Sequence, residues 1–484
     1  MPEAFHLRSL GVGVAAGLAL SWALRRLALR WQRPPPSPAS GAAFRAEDSL
    51  SVVARAKRPA PLRGLLPLMK LEGMCPMAGG TPHASTFPVA SYTMELCSGD
   101  TIRIDDPVTV AKAQQYMHDV SPGLGTIGYI PLLGWIKSHV RQQHAPPCDG
   151  WEVCVCTGNA DGFQRTWEAL LDPGDTLLVD ELNFAFSTSQ LAAWTGGRGL
   201  NLEPLPLGPH GIDAAALRTL LDGWERLRPG RRRPKALFTI PAFQNPTCVC
   251  LDLPTAKAVY GACADHGLMI IEDDPYRFLA FGDALAEADD VPGTAAARLP
   301  PSFLSVDTDG RVIRCDTFSK WISPGLRCGW VTAPKPIICK LAQGTGPSLG
   351  VASSVQVMLH AMLERWGDAG LHRHVSGVQA AYRRRCAVAL RAAKQHLDGL
   401  ARWEAPEGGM FLWVELLGVR SAEALLDQMT AERVCVVPGS YFSASDTPPE
   451  MPFVRISFAF ASEEVLVEGF RRLGAVMRAA RAGQ

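Results

Sequence analysis

The sequence predicts an α/β fold: a large domain on a mostly parallel, doubly wound sheet, followed by a small α+β domain. Three observations carry this. From about Asp105 onward, continuous apolar strands alternate with helical patterns of roughly 10–15 residues, the signature of strands joined by crossover helices. The residues best suited to chemistry stand just after strands, where such sheets bind ligands. The last third changes to one long helical stretch followed by short strands and helices.

Taken in order, residues 1–46 stand apart. The run "LGVGVAAGLALSWAL" (Leu10 to Leu24) is apolar but shorter than the roughly 20 residues of a membrane span. Arg8 precedes it, Arg25, Arg26, Arg30 and Arg33 follow, and no acidic residue lies between Glu3 and Glu47. An Arg-rich, acid-poor leader predicts mitochondrial import. A membrane anchor through residues 10–30, a secretory signal and a cytoplasmic protein are the alternatives. "RPPPSPASG" reads as a linker. An N-terminal arm over 67–105 then leads into a large domain over 106–360 and a small one over 361–484.

Within the large domain, strands are expected at Trp151 to Gly158, Asp175 to Glu181, Lys235 to Pro241 and Leu268 to Asp274. "FLSVD", "RVIRCD" and "GLRCGWVTA" are expected to add more. Helices are expected after Gly158, over Asp213 to Trp224 and over Leu253 to Gly267. The small domain should hold a helix over roughly Ser353 to Leu397, the stretches "MFLWVEL", "VCVVPG" and "FVRISFAF", and a last helix from Ser462 to about Ala480.

Composition excludes some classes. Among 484 residues, 48 Lys and Arg face 47 Asp and Glu, so the chain lacks the basic field of a nucleic-acid binder. The 13 cysteines are scattered, odd in number and often inside apolar runs. Cys154/Cys156 and Cys248/Cys250 are C-x-C pairs without histidines at zinc spacing. Buried, reduced thiols are expected, with neither a disulfide framework nor a metal.

The strand ends carry the chemistry. Gly158-Asn159-Ala160 opens a helix, whose free N–H groups and dipole favour an anion. Asn245 follows one strand; Asp273 and Tyr276 follow another. Lys320 follows a third, with Thr317 and Ser319 before it and Arg327 after it. A desolvated lysine is neutral often enough to bond an aldehyde. Pyridoxal 5'-phosphate is an aldehyde with a phosphate that needs an anion site. Gly158 to Ala160, Thr317, Ser319 and Arg327 would make that site. Its pyridine nitrogen needs a buried carboxylate, Asp273, and its 3-oxygen needs donors, Asn245 and Tyr276.

The stretches "NPT", "IEDDPYRF", "DTFSKWISPGLRCGW" and "FVRISFAFAS" resemble fold-type-I, class I/II aminotransferases. Similarity is greatest to the kynurenine/α-aminoadipate and aromatic aminotransferase group, and it extends from about Gly79 to Ser462. "FLSVDTDGRVIRCDTFSK" is especially close to that group. The resemblance implies that Lys320 is the lysine bonded to the cofactor, Asp273 the pyridinium partner, and Asn245 and Tyr276 the 3-oxygen donors. It implies that Arg455 clamps the substrate α-carboxylate, as a guanidinium fork suits. Gly80 matches a glycine in the mobile segment that closes over substrate. Substrates would be an amino acid (aromatic, kynurenine or 2-aminoadipate) and a 2-oxo acid, with 2-oxoglutarate the expected acceptor, in a homodimer.

Some positions depart from the family pattern. Phe184 stands where a tyrosine usually stacks near the cofactor ring, and Ala160 offers only its backbone to a phosphate. Tyr116 is the expected tyrosine for the partner subunit's phosphate site, with Tyr129 the alternative, because "SPGLGTIG" reads as an insertion. The loop from Gly282 to Pro300 is longer than expected. The alternative functions are a pyridoxal-phosphate lyase or decarboxylase, a non-catalytic aminotransferase-like regulator, and a Ser/Thr–Lys hydrolase. Arg455 favours transamination over the lyase. No basic winged-helix domain precedes Gly79, against the regulator, and the hydrolase lacks its partner motifs.

Overall fold

The computed structural model describes residues 44–58, 65, 68–75, 77–78, 80–117, 124, 127–281, 299–343 and 350–482. The leader, most of the "SPGLGTIG" stretch and most of the Gly282 to Pro300 loop lie outside the described residues. None of the described helices is long and apolar enough to cross a membrane.

Two short strands, β1 (Tyr92–Glu95) and β2 (Thr101–Ile104), form an antiparallel hairpin ahead of the main sheet. The main sheet is built from β3 (Trp151–Cys156), β4 (Thr176–Asp180), β5 (Asn201–Leu205), β8 (Pro234–Thr239), β9 (Met269–Asp273), β10 (Val312–Thr317) and β11 (Gly329–Pro334). Between β5 and β8 lies the two-residue pair β6 (Leu207–Gly208) and β7 (Gly211–Ile212). The strand order is β3-β11-β10-β9-β8-β4-β5. The pairings among β5, β4, β8, β9 and β10 are parallel. Only β11 runs against its neighbours β3 and β10, so the sheet is mostly parallel as expected.

The central strands read as continuous apolar runs because helices cover both faces. Residues of β4 and β9 are buried throughout. The helix Asn159–Leu170 buries Phe163, Thr166, Trp167 and Leu170, spaced along one face at helical period. Phe163, Trp167 and Phe238 of β8 meet with ring centroids 4.7–5.4 Å apart. Removing water from an aromatic ring of this kind contributes about 1.5–3 kcal/mol. The helix Leu253–Asp265 starts where Asp252 caps Thr255 N at 2.8 Å, with Pro254 in its first turn.

The second sheet is antiparallel, in the order β12 (Ala401–Trp403), β13 (Phe411–Leu416), β15 (Phe453–Ser457), β14 (Val437–Pro438). The helix Glu463–Ala482 packs Leu466, Phe470, Leu473 and Met477 into its core. The helical segment Ser353–Leu397 serves both cores. Val357, Leu359 and Leu363 join the first, and Cys386, Ala389 and Ala393 the second. It bends at Gly367, which leaves helical geometry at φ 53°. The expected boundary at 360/361 therefore falls inside a helical segment.

Several expectations need correction. "FLSVD" is a 3-10 turn, Phe303–Val306, not a strand. Ser302 caps it, and the N–H groups of Phe303 and Leu304 turn toward the buried Glu272 carboxylate, at 3.0 and 3.4 Å. The helix expected over Asp213 to Trp224 stops at Asp222 and gives way to a short turn, Trp224–Leu227. All thirteen thiols are free, but Cys75, Cys97 and Cys435 are exposed rather than buried. The β1–β2 hairpin, the edge strand β5 with its Pro204, and the helices Ile130–His144 and Ala185–Arg198 went unread in the sequence.

Candidate active site

The carboxyl ends of β3, β9 and β10 open side by side, and β11 starts beside them. Past β10 the chain turns at Phe318–Ile322. Trp321 holds that turn: its Nε1 donates to Thr317 O at 2.7 Å, and its own carbonyl accepts from His374 Nε2 at 2.6 Å. Its ring packs against Phe278 and Phe318, with centroids 5.1 and 5.2 Å away. Lys320, just before this anchor, is half-buried. Burial lowers its pKa, the Arg327 and Arg455 cations lower it further, and Asp273 opposes them. A lysine shifted this way is a better nucleophile and base at neutral pH.

Beside Lys320 lies a cradle of donors. Gly158 sits at φ 83°, and a Cβ there would stand 2.8 Å from Arg327 Nη2. Only glycine allows that turn and that approach. Arg327 is itself left-handed, at φ 46°, and donates to Thr157 O at 2.9 Å and Pro324 O at 3.2 Å. Among the described residues no carboxylate pairs with it. The Thr317 and Ser319 hydroxyls meet at 2.8 Å. The helix Asn159–Leu170 begins at the same place, so its dipole points into the cradle.

Asp273 ends β9, almost fully buried. Burial pushes its carboxyl up to about 7; a hydrogen bond from Asn159 Nδ2 at 2.6 Å pulls the other way. Its neighbours Glu272 and Asp274 point to the other face, where Arg314 of β10 pairs with both, at 2.9 and 2.8 Å. Strand alternation thus separates one carboxylate for the site from two that are neutralised within the core.

Asn245 is buried after β8, and Tyr276 after β9. Asn245 Nδ2 donates to Tyr276 Oη at 3.1 Å, and its Oδ1 accepts from Arg455 Nη1 at 2.8 Å. Arg455 lies in β15, between Trp413 of β13 and Val437 of β14. Its guanidinium stacks over Phe411 and Phe442, at 4.1 and 4.8 Å. Its Nε is buried without a partner, and no carboxylate pairs with it among the described residues.

Lys320, Arg327 and Arg455 therefore bring one amine and two guanidinium cations together, with Asp273 the one site-facing carboxylate among the described residues. That set is complementary to a phosphate, a carboxylate and one protonated ring nitrogen, and it fits pyridoxal phosphate. Phe184 stands just before the helix Ala185–Arg198 and packs with the Ile240, Phe243, Tyr276 and Phe411 cluster, so it belongs to the site. Ala160 is partly buried at the helix start. Gly80 is not brought in: it is exposed, with no atom within 4 Å of where a Cβ would stand. Tyr116 is 54% exposed and Tyr129 is 6% exposed, packed edge-on to His360. Sequence reasoning missed Trp321, Phe411 and Phe442, and the side chain of Asn159. The one available signal was that Phe411 and Arg455 both lie in apolar stretches of the small domain.

A half-buried lysine at the strand ends of this doubly wound sheet, beside a cluster of donors and a buried carboxylate, fits a pyridoxal-phosphate enzyme of fold type I. Residues 143–473 match the model of the family described as aminotransferase class I and II, and the chain belongs to that family. It is 33% identical over 444 residues to the mouse (Mus musculus) kynurenine/alpha-aminoadipate aminotransferase, mitochondrial, covering 89% of this chain and 98% of that one. Among solved structures, Aro8 aminotransferase from Candida albicans superposes with a TM-score of 0.79 at 27% identity, covering 90% of this chain and 98% of that one. LysN, an alpha-aminoadipate aminotransferase from Thermus thermophilus complexed with N-(5'-phosphopyridoxyl)-L-leucine, superposes with a TM-score of 0.62 at 28% identity, covering 77% and 85%. The protein is an aminotransferase, and its cofactor is pyridoxal phosphate.

Proposed function

We propose that this enzyme moves the amino group of an aromatic amino acid, kynurenine or 2-aminoadipate to a 2-oxo acid, with 2-oxoglutarate the acceptor. The observation that carries this is Arg455: a half-buried guanidinium on two aromatic rings, with a buried, unsatisfied Nε and, among the described residues, no carboxylate of its own. Such a group wants an incoming carboxylate. The apolar walls of Phe184, Phe411 and Phe442 suit a large donor side chain. The mouse relative's name points to the same donors.

When bound, the cofactor supplies an electron sink for the pair left at the substrate α-carbon. The chain's residues do the rest. Gly158, the Ala160 N–H, Thr317, Ser319 and Arg327 bind the phosphate. Asp273 holds the proton on the ring nitrogen, and Asn245 and Tyr276 donate to the ring oxygen. Phe184 stacks near the ring. Lys320 would act as general base and acid, moving the proton at the substrate α-carbon. Arg455 orients the substrate so that its α-proton faces Lys320.

The working unit in this reading is a homodimer. The exposure of Tyr116 supports it over buried Tyr129 as the residue that reaches the partner's phosphate site. The Arg-rich leader and the mouse relative's mitochondrial designation support mitochondrial import. The test is a donor panel with 2-oxoglutarate on leader-truncated protein. Glutamate formation from kynurenine, phenylalanine or 2-aminoadipate is expected. Product formation without any acceptor would instead identify a lyase or decarboxylase.

A further inference from the structure

Asn159 is the first residue of its helix and is 8% exposed. Its Nδ2 donates to Asp273 Oδ1 at 2.6 Å and to Cys315 O at 3.0 Å. Cys315 and Asp273 are register partners on β10 and β9, so one amide nitrogen ties together the two strand ends that flank the site. Both of its hydrogens are used, while Oδ1 is buried without a partner. Turning the amide over would set that oxygen against a carboxylate and a carbonyl, which fixes its orientation. Among the described residues this is the single hydrogen bond to the Asp273 carboxylate. The buried Arg314 cation is already engaged by Glu272, Asp274 and Asp316.

We infer that Asn159 acts through its side chain as a positioning residue, holding one oxygen of Asp273 so that the other faces the cofactor's ring nitrogen. The side chain then serves the ring end of the cofactor, while the backbone at the same helix start serves the phosphate end. One short turn, Gly158 to Ala160, so registers both ends of one ligand. The inference rests on the role given to Asp273 above. It needs no covalent step, so it can be read by binding alone.

The probe is 4'-deoxypyridoxine 5'-phosphate, which keeps the ring nitrogen and phosphate but has no aldehyde to bond Lys320. Its dissociation constant is measured for the full chain freed of cofactor, as wild type, Asn159→Ala, Asp273→Asn and the double variant. Asn159→Ala should weaken binding about tenfold, the effect expected for a lost charged hydrogen bond, but less than about twofold in the Asp273→Asn background. The ¹⁵N shift of the labelled ring nitrogen should move toward the neutral form in Asn159→Ala. Asn159→Ser, a smaller change, repeats the cycle if the alanine variant fails to fold. An equal loss in both backgrounds would overturn the inference and leave Asn159 a phosphate or packing residue. If wild type and Asp273→Asn bound the probe equally, the role of Asp273 itself would fall.

Discussion

Arg455 Nη1 donates to Asn245 Oδ1 at 2.8 Å, joining the small antiparallel sheet to the loop that follows β8 of the large one. The same amide donates to Tyr276, so one side chain touches both the expected substrate clamp and an expected cofactor contact. In the proposed reading, that single buried group would set substrate carboxylate and cofactor ring relative to each other.

Because every amino-acid donor shares an α-carboxylate, Arg455→Ala should lower kcat/KM for kynurenine, phenylalanine and 2-aminoadipate by a similar factor. Removing a clamp from a desolvated carboxylate costs about 2–5 kcal/mol. Steady-state kinetics with the three donors reads this. A loss confined to 2-aminoadipate would make Arg455 the reader of the distal carboxylate.

Lys320→Ala should retain cofactor noncovalently through the Arg327 cradle and the Asp273 contact, yet transaminate almost nothing. Wild-type protein should be yellow, and borohydride should fix cofactor to it but not to the variant. Wild-type turnover by Lys320→Ala without added amine would show that another group moves the proton.

Burial pushes the Asp273 carboxyl up to about 7. Below that pH the carboxyl is protonated, so it can pair with a cationic ring only after losing a proton. Affinity for 4'-deoxypyridoxine 5'-phosphate should therefore fall from about pH 8 to about pH 6 more steeply in wild type than in Asp273→Asn. In turnover, Asp273→Asn should lose kcat, because a neutral amide leaves the ring a poorer electron sink. A loss in KM alone would make Asp273 a substrate contact.

His139 is buried between the rings of Trp135 and Trp321, stacked 4.8 and 6.4 Å away. Burial, then the Arg277 and Arg314 cations, lower its pKa from 6.5 to about 3. The unfolded chain binds this proton below about 6.5, and the folded chain does not until about 3. Stability is thus lost as pH falls through that window. Chemical denaturation should show a smaller loss between about pH 6.5 and 4 for His139→Phe than for wild type. Equal slopes would mean that His139 is protonated in the fold.

The strand ends were legible in the sequence because their signals are local. An apolar run followed by a polar turn marks the edge of a parallel sheet, and Asp273, Lys320 and Arg327 are found by counting from it. The motif around Lys320 and the "FVRIS" stretch added Arg455. Local pattern failed at "FLSVD", where an apolar run turns to serve the buried Glu272 carboxylate instead of extending. It also failed for the hairpin and edge strand, which lack a continuous apolar run, and it could not tell buried Tyr129 from exposed Tyr116. Only the tertiary structure decided which side chains meet. Asn159 and Asp273 are 114 positions apart, and Asn245 and Arg455 are 210 apart. Sheet order, the approach of the second sheet and the burial that strips water from these groups bring them together, and no sequence period encodes any of those.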